Sequence, residues 1–175
     1  MTTPLLHALA TGPAATPALP ASPGPLDEAA ATLLEQPAFR ADFERLGGVT
    51  LDPARHTSPD ARTHSLAVAR RARALAGAAG LGPSETGLLE RLALVHDIGK
   101  IGGTGAPSAS VERLPLYGHF DERFVELVRY HDINLPWYKS QARGEVPSDR
   151  AWAKLARRVD VRLLALFMVR TAFSL

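Results

Sequence analysis

The sequence predicts an all-α domain. Apolar residues recur at helical spacing in several segments. Gly and Pro punctuate those segments where helices should end. No segment alternates apolar and polar residues between hairpin turns, and no internal repeat is present.

The elements follow in order. Residues 1–25 hold six Pro, six Ala and no Asp, Glu, Lys or Arg. So much Pro favours extended, solvated chain, so 1–25 reads as a disordered tail and 26–175 as one helical domain. Leu33, Leu34, Phe39, Phe43 and Leu46 form one or two short helices ended by Gly47-Gly48. Residues 49–59 are a loop. Asp60 is an N-cap for a long helix to about Ala79, stopped by Gly80 and Gly82. Ser84 to about His96 is the next helix, and Gly99–Pro107 is loop. Asp121 to His131 is helical, Pro136 and Pro147 bracket a loop, and Ser148 caps a last helical stretch from about Asp149 onward.

With 175 residues the chain suits one domain and can bury a core without a cross-link. It has no cysteine, which excludes disulfides, thiolate zinc sites, iron–sulfur clusters and a cysteine nucleophile. A metal would need nitrogen and oxygen ligands. The first residues lack the basic start of a signal peptide, and no run reaches the roughly 18 apolar residues of a membrane span. A cytoplasmic protein without membrane attachment is therefore expected. The formal charge is only +2, but it is unevenly placed. From Arg150 on there are six Lys/Arg (Arg150, Lys154, Arg157, Arg158, Arg162, Arg170) against Asp160 alone. That pattern fits a solvated helix face or a surface that meets phosphates.

The histidines carry the chemistry. His64 begins the apolar stripe of its helix, with Ala67/Val68, Ala72 and Leu75 following at helical spacing. His96 ends the stripe of its own helix after Leu89 and Leu92. Two imidazoles thus point into one interior, where they need partners. Asp97 follows His96. Neighbours on a helix diverge by about 100°, yet at the last turn both can converge on an ion just beyond it. Imidazole plus carboxylate suits Mn, Fe, Co, Ni or Zn, or Mg with more carboxylate. Hydrogen-bonded core histidines are the alternative.

The string His96-Asp97-Ile98-Gly99-Lys100, preceded by Leu92-Ala93-Leu94-Val95, resembles the signature of the HD superfamily of metal-dependent phosphohydrolases. That family's pattern is an upstream His, a His-Asp pair and a later Asp, and His64 matches the upstream His. The stretch from His56 through Asp60 to His64 is similar to the HPEGDVWTH-like opening of HD domains associated with tRNA nucleotidyltransferases. The resemblance covers roughly residues 40–170 and implies a compact bundle of at least five helices.

The resemblance also implies a divalent metal ion held by His64, His96 and Asp97. Asp160 is the candidate for the final Asp, because it is the only acid after Asp149. In similar HD domains that Asp often lies deeper in an apolar helix, where this chain has Arg170-Thr171. Either Asp160 is the ligand or the chain lacks it. Some HD families hold two metals with two further His; here these would be His119 and His131, otherwise a loop His and a helix-capping His. His119 and His131 would then contact substrate phosphate or metal.

The reaction so implied is hydrolysis of a phosphomonoester or phosphodiester of a nucleotide or a nucleic-acid-derived phosphate. Asp97 would bind metal and orient water, and Lys100 would contact phosphate as a point charge. The alternative is a non-catalytic HD module that binds nucleotide or RNA through the basic C-terminal helix. A nucleotidyltransferase is disfavoured, since no Gly-Ser followed by paired Asp occurs.

Overall fold

The computed structural model describes residues 25–54, 56–133, 143–144 and 148–171, with side chains described as far as Met168. Residues 1–24 of the expected tail, the Pro136–Pro147 loop and the last four residues lie outside this range, Gly144 and its neighbour 143 apart. The described residues form eight α-helices and no strand. We number them α1 (Glu28–Glu35), α2 (Pro37–Arg45), α3 (Ala61–Ala78), α4 (Pro83–Val95), α5 (Pro107–Arg113), α6 (Glu122–Tyr130), α7 (Asp149–Ala156) and α8 (Val161–Thr171). None of them is long and apolar enough to cross a membrane.

α4 is the centre. From Gly87 to Val95 every residue except Arg91 is buried, so this helix is covered on all sides rather than along one stripe. α3 packs along it most extensively, and α1 and α6 cover other faces. The seam of α3 is Ala61, Ser65, Val68, Ala69, Ala72 and Ala76. Its small side chains let the two backbones approach. Leu75, expected inward, is only half-buried, because Ala76 holds the seam. α8 lays Leu163, Leu164 and Phe167 into the core and packs on α3.

Most helix starts have the expected chemistry. Asp60 Oδ1 accepts from Thr63 N (2.8 Å), Asp121 Oδ1 from Phe124 N (2.8 Å) and Ser148 Oγ from Ala151 N (3.3 Å). The early apolar pattern resolves as two helices, with Pro37 opening α2.

Two features depart from the sequence reading. Residues 98–102 are a 3₁₀ turn, and a helix not anticipated, α5, begins with Pro107 at its first position. The C-terminal stretch, expected to be continuous, breaks between Ala156 and Val161. No Gly or Pro marks the break. Asp160 makes it, by accepting from the backbone N–H groups of Arg162 and Leu163 (both 3.1 Å). An Asp that binds the backbone two and three residues on competes with the helix and favours a new start.

Candidate metal centre

The centre forms where α4 ends. His96 is its C-cap and still donates its N–H to Leu92 O (2.9 Å). Asp97 then leaves the helical region (φ −105°, ψ 7°), and the chain winds into the 3₁₀ turn closed by Gly103 at φ 80°. That change of direction brings neighbouring side chains together, with His96 Nε2 3.3 Å from Asp97 Oδ2. Lys100, one turn on, donates from Nζ to the same Oδ2 at 2.7 Å.

α5 secures the turn. Ser110 Oγ donates to His96 O (2.7 Å) and accepts from Gly99 N (3.0 Å), and the side chain is buried. The approach needs glycine: a Cβ at residue 99 would lie 2.6 Å from Ser110 N. On the far side, Asp42 of α2 takes hydrogen bonds from Arg113 and from Tyr117 Oη (2.7 Å), fixing the end of α5. Burial pushes the Asp42 carboxyl up, but the donors from Arg113, Tyr117 and Arg45 prevail and hold it below its ordinary range.

His64 enters from the first turn of α3. One nitrogen each from His64 and His96 and one oxygen of Asp97 lie within 4.8 Å of one another, and all three residues are buried. Further rings border them. His56 stands edge-on to His64 (centroids 5.0 Å apart), and His131 edge-on to His96 (5.2 Å). Phe167 of α8 closes the apolar side, 5.5 Å from the His96 ring and 6.4 Å from that of His131. The loop carrying His56 is tied down at both ends, by Leu51 N to Pro59 O (3.1 Å) and Ala61 N to Val49 O (3.0 Å).

Protonation states fit a cation. The Nδ1–H groups of His96 and His131 donate to the carbonyls of Ala93 (2.8 Å) and Val128 (2.7 Å). A carbonyl only accepts, so each ring carries a proton at Nδ1 and turns its Nε2 to the interior. Burial, assisted by the neighbouring His96, lowers His64 to about 3 and His131 to about 4. His56 is also lowered, by burial first and then by Lys100. Burial would raise Asp97, but His96 and Lys100 overcome it and hold the carboxyl well below its usual range. At neutral pH His64 and His131 are therefore neutral and Asp97 is ionised, as a divalent ion requires. His56 Nδ1 is buried with no hydrogen-bond partner among the described residues, a donor set left incomplete. The cluster could hold a divalent metal ion.

Of the residues singled out in the sequence, the fold unites His64, His96, Asp97, Lys100 and His131. His131 is both the C-cap of α6 and part of the cluster, so two readings that looked exclusive are compatible. His119 is exposed in the turn before α6, outside the rings around His96. Asp160 is not brought to the cluster. It caps α8, and its Oδ2 accepts from Arg123 Nη2 at 2.7 Å. The sequence reading left His56 out of the site, although the spacing from His56 to His64 carried the signal. Ser110 and Phe167 had no local signal.

A cleft of about 270 Å³, lined by Lys100, Gly103, Thr104 and Gly105 on one side and Val49 to Asp52 on the other, opens beside Lys100. Searches among curated proteins and among solved structures found no match. The HD domain family model matches residues 62–166, more than half of the chain. Those residues run from the first turn of α3 into α8 and carry His64, His96-Asp97 and His131 on the helices that meet here, and the chain belongs to the HD domain family.

Proposed function

We propose that the chain is a metal-dependent phosphohydrolase, acting on a phosphomonoester or phosphodiester of a nucleotide or nucleic-acid-derived phosphate. The observation that carries this reading is the convergence of His64, His96 and Asp97 at the buried end of α4, beside a cleft with a lysine on its wall. The likeness of the His56–His64 stretch to HD domains associated with tRNA nucleotidyltransferases directs the substrate toward nucleotides.

In this reading His64 and His96 give imidazole nitrogens, and Asp97 a carboxylate oxygen, to a divalent ion (Mn, Fe, Co, Ni, Zn or Mg). The ion, when bound, lowers the pKa of water and offsets charge on a phosphoryl group. Asp97 also accepts a hydrogen bond from the attacking water and orients it. Lys100 turns its ammonium from Asp97 toward a phosphate oxygen in the cleft. His131, neutral at Nε2, takes a place beside the phosphoryl group or a second ion. Phe167 keeps bulk water from the rear of the site.

Purified protein with Mn, Ni, Co or Mg should hydrolyse p-nitrophenyl phosphate or its bis-ester, and His96→Ala and Asp97→Ala should each abolish turnover. Full activity in both variants would refute the reading. The position of Asp160, at the start of α8 and bound to Arg123 of α6, favours a second reading: a non-catalytic HD module that binds nucleotide. Nucleotide binding with no turnover under any of these metals would select it.

A further inference from the structure

Seven arginines of the described region are paired with acids. Arg45 and Arg113 meet Asp42, Arg62 meets Glu44, Arg73 meets Glu90, Arg123 meets Asp160, Arg129 meets Glu126 and Arg162 meets Glu85. Arg162 is thereby removed from the basic run seen in the sequence. Four members of that run differ. Arg150, Lys154, Arg157 and Arg158 are exposed, make no ion pair among the described residues, and together line a cleft of about 410 Å³.

We propose that this face of α7 and the turn after it bind the phosphate backbone of a nucleic-acid strand. The positions 150, 154 and 157/158 recur at helical spacing, so the four cations share one side while Leu155 and Val159 are buried on the other. They span about 12 Å at 1.5 Å per residue. A strand that rises 3.4 Å per nucleotide presents roughly three or four phosphates over that length. Three of the four are arginines, whose planar guanidinium forks suit phosphate oxygens. Four unpaired like charges around one concavity repel each other, and an anionic chain relieves that repulsion. A membrane surface fits less well, since a helix lying on lipid carries apolar side chains at its contact face. Among the described residues the exposed large hydrophobic is Leu116, outside α7. No residue of the His/Asp cluster lines this cleft, and the inference stands whether or not that cluster turns over a substrate.

The test is fluorescence anisotropy of the full chain with a labelled 12-nucleotide single-stranded RNA, between 50 and 200 mM salt. Four phosphate contacts give a slope of log affinity against log salt near about −2.8, hence about 50-fold weaker binding across that range. R150Q/K154Q and R157Q/R158Q should each reduce the slope by about 1.4. R40Q/R70Q, which removes equal charge from α2 and α3, should keep both slope and affinity. Circular dichroism of each variant establishes that it is folded. No binding at 50 mM salt, equal weakening by R40Q/R70Q, displacement by polyglutamate at equal charge, or tighter binding to phosphatidylserine vesicles would each overturn the proposal.

Discussion

The histidine cluster at the end of α4 and the basic face of α7 both concentrate ionisable side chains, and they treat water in opposite ways. At α4 the groups are buried, and desolvation sets their charge: imidazoles are driven neutral, and Asp97 stays ionised only because Lys100 and His96 sit against it. At α7 and the turn after it the groups are exposed and make no ion pair among the described residues. The buried site should therefore respond to pH and metal, and the exposed one to salt.

The largest effect expected is on the buried side. His96→Ala or Asp97→Ala should lower metal-dependent turnover by more than the roughly 10–100-fold typical of losing an outer-shell partner, and metal binding followed by calorimetry should fall in parallel. R157Q/R158Q should leave both unchanged. A loss of metal binding in that variant would break the distinction between the regions.

Acid should separate them next. His64 and His131 have ordinary values of 6.5 and folded values of about 3 and about 4. Below pH 6.5 the unfolded chain binds more protons than the folded one, so stability is full above that pH and falls as the pH drops toward the folded values. Urea denaturation of the metal-free protein should show a loss of about 2 kcal/mol per histidine by about pH 5. A flat profile would mean that these rings are solvated.

Ser110→Ala leaves His96 O and Gly99 N unpaired inside the protein. It should cost about 1–3 kcal/mol in the same denaturation experiment and weaken metal binding through the displaced turn. The smallest effect belongs to Asp160→Ala. Loss of the α8 cap costs about 1 kcal/mol. The exposed pair with Arg123 adds less than that. Metal affinity should stay within about twofold. A large drop would show that the acid reaches the ion despite its place at α8.

Much of this was readable in the chain itself. His64 opens an inward stripe and His96 closes one, because a 3.6-residue period leaves those positions no other face. Asp60, Asp121 and Ser148 announced helix starts because their short side chains reach the backbone N–H groups at N2 or N3. The break before α8 leaves no mark in the sequence, because an Asp cap within a basic stretch looks the same as a solvated residue of a continuous helix. α5 is not legible in the sequence because its seven residues are too few to display a period.

By itself the sequence determined the helical class, most of the helix ends, the absence of thiolate chemistry and the His-Asp pair with its upstream His. Those are local properties, set by spacing along one strand of chain. Tertiary structure decided which ionisable groups share a dielectric environment. It put His56 and His131 beside the pair, took Asp160 and Arg162 into ion pairs with Arg123 and Glu85, and left four cations of α7 and the turn after it in the solvent. Charge interactions act through space and depend on burial, so no reading along the chain could have sorted them.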